Sequence, residues 1–189
     1  RPDPLRHPLV FYLGHTAVFF INKLNIAKII TTRINPAYES MFAVGVDEMS
    51  WDDLNEANYD WPPIPMVRQY RDEVREYIDS LILSLPAPEN GINWNSPWWA
   101  IMMGIEHERI HLETSSVLIR QMPLERLKPM DFWDICPHSG PAPINELKPV
   151  SGGRIDLGKS FSDPLYGWDN EYGHKSFEVE NFKASKFLV

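Results

Sequence analysis

The sequence predicts a mainly α chain, a helical bundle that gives way to short strands, and three observations carry that expectation. Three long segments, each bracketed by proline, repeat apolar residues at spacings of three and four. After Pro123 this period disappears and Pro129, Pro137, Pro141, Pro143 and Pro149 punctuate the chain. Beyond Gly152-Gly153, short stretches alternate apolar and polar residues in the manner of strands. A length of 189 residues suits one domain and the start of another. The expected division is a helical bundle over 1–128, a Pro-rich linker over 129–150 and the opening of a second domain over 151–189.

The first helix is expected to open at Pro8 and to run to about Thr32, before Asn35-Pro36. Its core stripe reads Phe11, His15, Val18, Asn22, Ile26 and Ile29, so His15 and Asn22 share a face with Phe, Val and Ile. Ala37 to Pro63 is an acidic and aromatic connection that includes Asp47, Glu48, Asp52 and Asp53. A connection of that length is expected to contain short helical turns and to be packed. The second helix starts near Pro65 and carries Val67, Tyr70, Val74, Tyr77, Ile78 and Leu81 on its inner face, ending at Leu85. Arg68, Arg71, Asp72, Arg75, Glu76 and Asp79 form the opposite, solvated face. Ser96 as N-cap and Pro97 at the first helical position open the third helix, which continues to Gln121. The strand segments are Arg154 to Leu157 and Phe177 to Glu180; Phe187-Leu188-Val189 ends the sequence as an apolar run.

Composition narrows the chemistry. With 18 Lys+Arg against 26 Asp+Glu, a net charge of −8 and no basic block, the chain lacks the footprint of a nucleic-acid or polybasic membrane binder. Small molecules are the expected partners. Apolar residues make up 43% of the chain, which is ample for a core. The single cysteine, Cys136, cannot build a disulfide framework or a Cys-rich zinc site, so a reducing cytoplasm is the expected location. Leu9 to Ile30 is interrupted by Gly14, His15, Asn22, Lys23, Asn25 and Lys28, which argues against a membrane span, and neither end of it resembles a signal peptide. The start at Arg1, without Met, reads as a piece of a longer protein.

The strongest chemical signal is His107-Glu108-Arg109-Ile110-His111 in the third long helix. Histidines at i and i+4 differ by about 40° around the helix axis, so their imidazoles can grip one metal ion. His15, inside the apolar stripe of another helix, offers a third nitrogen. The same five residues match the zinc-hydrolase pattern, in which the Glu is a general base. Its extended form, however, needs Gly at 114 and His at 117, where Thr114 and Val117 stand. A carboxylate ligand from Glu125 or Glu146 is badly placed, one just past Pro123 and the other in the linker.

Phe11-Tyr12-Leu13-Gly14-His15-Thr16, followed far downstream by His107-x-x-x-His111-x-Glu113, resembles the DinB-like iron-binding domain of the sulfoxide synthases that make ergothioneine and ovothiol. Phe19 to Leu24 and Gly45 to Leu54 look closer to the ovothiol branch, the 5-histidylcysteine sulfoxide synthases, than to the ergothioneine branch. Gly152-Gly153-x-x-x-x-Gly158 and Gly167-Trp168-Asp169-Asn170-Glu171 resemble the opening of the family's formylglycine-generating-enzyme-like domain, an α+β C-type-lectin-like fold. The resemblance covers essentially all 189 residues. It implies a DinB-like four-helix bundle with one helix lying upstream of Arg1, and a second domain continuing beyond Val189.

The resemblance further implies an oxidoreductase in which His15, His107 and His111 form a three-histidine site for non-haem Fe(II). Its reaction would join L-cysteine to L-histidine with O2 and give 5-histidylcysteine sulfoxide, in ovothiol biosynthesis. The alternatives are a hercynine-using synthase of the ergothioneine branch, a DinB-type metal-binding bundle without redox activity, and a zinc hydrolase. The family's catalytic tyrosine belongs to the second domain, so no residue here takes that role and this segment alone is expected to be inactive. Glu113, about 160° around the helix from His111, and Glu108, about 100° from His107, are poor ligand candidates. For Glu108 an ion pair with Arg109 or Arg120 and plain solvation both remain open. Trp94, Trp98, Trp99 and Trp133 are read as packing residues, Cys136 as a bystander, and Trp168, Asp169 and Asn170 as candidates for an interdomain cleft. Oligomeric state is not legible in the sequence.

Overall fold

The computed structural model describes residues 2–4, 6–43, 59–88, 91–131, 137–138 and 140–189. These fall into two compact units, Arg1–Leu127 and Lys128–Val189. The first is helical. It contains α1 (Leu9–Ile26), α2 (Pro36–Met41), α3 (Ile64–Ser84) and α4 (Pro97–Arg120), with α1 packed against each of the other three. The second contains β1 (Leu147–Val150), β2 (Gly153–Leu157), β3 (Lys175–Val179) and β4 (Phe182–Ser185).

Helix α1 begins where Pro8 requires but ends at Ile26, not near Thr32. The stop is a Schellman turn, which the spacing of apolar residues does not reveal. Lys28 adopts a left-handed φ of 57°, its N–H bonds the Asn25 carbonyl, and the Ile29 N–H returns to the Leu24 carbonyl. The Asn25 amide adds bonds to the carbonyls of Ile21 and Thr32. The stripe is corrected accordingly. Ile26 is 72% exposed, Asn22 and Ile29 are half-buried, and the inner face is completed by Ile21 and Leu24, with Ile30 folded back beneath them.

Helix α2 supplies the helical turn expected between the long helices; Asn35 caps it by accepting the Tyr38 N–H at 3.2 Å, with Pro36 at its first position. The acidic block Asp47 to Asp53, like Trp133 and Cys136, lies outside the described residues. The buried Glu39 accepts N–H bonds from Ile34 and Asn35 and a 3.1 Å bond from Arg33, so its charge is satisfied locally. Helix α3 buries Val67, Tyr70, Val74 and Ile78, as its period predicts. Its charged face is not uniformly solvated, because Arg71 turns inward between α1 and α4. Helix α4 starts as predicted, Ser96 Oγ accepting the Trp98 N–H at 3.3 Å, and ends at Arg120. Among the tryptophans, Trp99 is buried and stacked on the more exposed Trp94, and the Trp98 indole donates to the Pro86 carbonyl.

Two glycines set the closeness of the helices. A Cβ on Gly14 would lie 2.8 Å from the Phe42 ring, and one on Gly104 would lie 2.1 Å from the Phe20 ring. Bare backbone at these two points lets Phe42 press on α1 and lets α1 approach α4. Phe11, Val18, Ile21, Leu24, Phe42 and Val67 are fully buried at the centre. Helix α1 is by length and composition apolar enough to cross a membrane, although half of it is buried in the bundle. That burial, against three helices, is the signature of a core helix.

In the second unit β2 pairs antiparallel with β3, in register from Gly153 opposite Val179 to Leu157 opposite Lys175. A second ladder, β1 with β4, was not expected. Its first strand lies inside the stretch read as linker, and Pro149 sits opposite Lys183. Proline is tolerated there because each ladder has only two strands and therefore only edges.

Candidate metal centre

Two helices bring three imidazoles together. The core-facing stripe of α1 carries His15, which is 3% exposed, and α4 carries the buried His107 and the half-buried His111 one turn later. One ligand atom from each lies within 4.8 Å of the others. The ring centroids are 4.9 Å apart for His15 and His107, 4.8 Å for His15 and His111, and 4.5 Å for His107 and His111. All three candidate ligands thus face one point, while Glu113 is exposed on α4 and takes no part.

The protein holds two of the rings by different means. His15 Nδ1 is 2.7 Å from the Phe42 carbonyl, an oxygen that can only accept, so Nδ1 carries a proton and the neutral ring has its lone pair on Nε2. That lone pair is turned toward His107, whose Nε2 is 3.2 Å away. The His107 ring lies flat on Phe19, centroids 3.6 Å apart and planes 6° apart, and Phe11 stacks on His15 at 5.1 Å. Lys23 lies over the other participant in this stack, 5.1 Å from the Phe19 centroid.

Electrostatics keep the site in its ligating form. Burial lowers His107 to about 3, helped by His15, His111 and Lys23. Burial also lowers His111 to about 4, with His15 adding to the effect and Glu108 opposing it. Both imidazoles are therefore neutral at pH 7, with lone pairs available. The Nδ1 atoms of His107 and His111 are buried without a hydrogen-bond partner among the described residues. Imidazoles whose nitrogens converge, with His15 Nε2 turned toward His107 Nε2, present lone pairs that a divalent cation would accept. At a metal–nitrogen distance of about 2.0–2.1 Å, two adjacent ligand nitrogens stand roughly 3 Å apart. The 3.2 Å between His15 and His107 suits that spacing. The residues fit a metal.

Glu108 does not follow either pairing considered from sequence. Its carboxylate is 3.5 Å from Arg71 on α3, while Arg109 pairs with Glu106 at 2.9 Å. A general base of the zinc-hydrolase kind would need a carboxylate free to take a proton from water; this one faces a guanidinium. Two clefts reach the histidines from different sides. One of 390 Å³ runs past Tyr12, Arg71, Glu108 and His111, and one of 130 Å³ opens at His15 beside Asn22, Lys23 and Arg33. Burial raises the Tyr12 phenol, whose ring centroid is 6.3 Å from that of His111. Phe19 and Phe42 contact the histidines and were invisible as such in the sequence, because each acts through a contact between segments distant along the chain.

In the second unit Trp168 begins a short turn, its N–H bonded to Glu171 Oε1 at 2.8 Å, and Asp169 and Asn170 are exposed.

Residues 1–115 match the DinB superfamily. Over 211 aligned positions the chain is 26% identical to ergothioneine biosynthesis protein 1 of Neurospora crassa, which involves 97% of this chain and 22% of that protein. The chain therefore spans about a fifth of the length of that relative.

Proposed function

The chain belongs to the DinB superfamily, and from that premise we propose that it is the metal-binding part of a non-haem iron sulfoxide synthase. The observation that carries the reading is the convergence of His15, His107 and His111 from two helices of the matched bundle. Similarity to a protein named for ergothioneine biosynthesis supports the same chemistry.

The proposed reaction joins cysteine to a histidine-type acceptor. The thiol S–H and the imidazole C5–H bonds are lost and a C–S bond forms. One oxygen atom of O2 becomes the sulfoxide oxygen and the other leaves as water, which balances the four-electron oxidation. Iron, bound by the three imidazoles, would supply the reduction of O2, which zinc cannot. Everything else assigned to this chain is binding and positioning. The Phe42 carbonyl holds the proton on His15 Nδ1 and so keeps Nε2 as a ligand. Phe11 and Phe19 fix the planes of two imidazoles and exclude water from their faces. Neutral ligands leave the full charge of a divalent ion to attract a thiolate, and the clefts at His111 and His15 give room on two sides. A formylglycine-generating-enzyme-like fold for the second domain belongs to the same proposal. So does a cytoplasmic setting, which would keep the cysteine substrate reduced.

Two acceptors compete. The Phe19 to Leu24 and Gly45 to Leu54 blocks favour unmodified L-histidine, and the similarity to the Neurospora protein favours hercynine. The intact protein, loaded with Fe(II) without oxygen and then given O2, cysteine and both acceptors together, decides by the masses of the two sulfoxides. An excess of 5-histidylcysteine sulfoxide supports the histidine reading and an excess of the hercynine product reverses it. Stoichiometric iron with no coupled product would leave a redox-inert metal-binding bundle.

A further inference from the structure

Arg71 lies on α3, which contributes no histidine, yet each of its polar contacts falls beside one. Its guanidinium donates to the Leu13 carbonyl at 2.8 Å and to Thr16 Oγ1 at 2.6 Å, two residues before and one residue after His15. Its other terminal nitrogen is 3.5 Å from Glu108 Oε1, one residue after His107 and three before His111. The Arg71 side chain is 31% exposed, and the Arg71–Glu108 pair forms a common wall of the His111 cleft and of a second cleft of 310 Å³ between α1 and α3. Backbone packing joins α1 to α3 and α1 to α4; Arg71 adds a polar bridge from α3 to α4.

The metal centre needs α1 and α4 in one register, because a shift of about 1.5 Å, one residue of helix rise, would separate His15 from its partners. Interdigitated apolar packing between α1 and α4 resists such sliding, and directional hydrogen bonds across the helices add to that resistance. We propose that Arg71 is a positioning residue for the centre, a three-point clamp whose planar guanidinium holds the His15 turn of α1 against the His107–His111 turn of α4. This rests on the reading of the three histidines as metal ligands. A lysine could not replace it, since one ammonium on a flexible stem does not present donors in two fixed directions. Outer-shell residues of metal sites commonly alter affinity by about 10- to 100-fold, and the low end of that range is expected here because the contact is indirect.

The test is anaerobic titration of the metal-free protein with Co(II), following visible absorption, alongside urea unfolding without metal. Wild type should bind one equivalent, and replacing both His107 and His111 by Ala should abolish this. Failure of that control would overturn the metal reading and the clamp with it. Arg71→Ala and Arg71→Lys should both weaken Co(II) binding about tenfold and shift the ligand-field bands, at temperatures where both apoproteins remain folded. Glu108→Gln, which keeps an acceptor for the guanidinium, should lie between them and wild type. Normal Co(II) affinity and an unchanged spectrum in folded Arg71→Ala, even with lower urea resistance, would show an ordinary structural arginine and overturn the proposal.

Discussion

The two units of this chain spend their apolar residues in different ways. In the helical unit α1 wraps its inner face with α2, α3 and α4, and Phe11, Val18, Ile21 and Leu24 lose essentially all contact with water. In the strand unit Ile144, Leu157, Phe161 and Phe182 remain between 48% and 93% exposed, and Gly167 is the buried residue among those described. The difference follows from geometry. A helix satisfies its own backbone and needs only one partner for its stripe, whereas a two-stranded ladder offers two faces and covers neither. Precise placement of side chains, and hence a candidate metal centre, is possible where α1 is packed by its neighbours, because the rings there are held on several sides.

The largest effect expected from this contrast is on metal binding. Replacing His107 or His111 by Ala should abolish stoichiometric Fe(II) binding in anaerobic titrations, and His15→Ala should do the same, while far-UV helicity stays nearly constant because packing holds the helices. Full iron occupancy without His15 would remove α1 from the centre. Next comes Phe11→Ala, which deletes a fully buried ring stacked on His15; denaturant unfolding should show a loss of about 3–5 kcal/mol. Gly104→Ala should cost about 1–3 kcal/mol, since the new methyl meets the Phe20 ring and pushes α1 from α4. Weaker metal binding should accompany it. The smallest effect belongs to the strand unit, where Ile144→Ala at a 93% exposed position should change stability by no more than about 0.5 kcal/mol. A loss of several kcal/mol there would break the comparison, showing that this face is covered in the intact protein.

What the sequence determined by itself was local. Proline and serine fixed the start of α4 to the residue, the spacing of Val67, Tyr70, Val74 and Ile78 named the inner face of α3, and the i, i+4 pair marked two candidate ligands. Each signal acts within one or two turns of helix, so it can be read along the chain. His15 was nominated by its place in an apolar stripe and by resemblance; only folding set its Nε2 at 3.2 Å from that of His107, across 92 residues. The end of α1 was misread because Lys28 enters a left-handed conformation that its side chain does not advertise. Tertiary structure alone assigned the Phe42 carbonyl to His15, Phe19 to His107 and Arg71 to Glu108. A carbonyl is present at every residue, and aromatic and arginine side chains have many uses, so their type carries no address. The address comes from which helix faces pack together, and two glycines that admit phenylalanine rings decide how closely they do so.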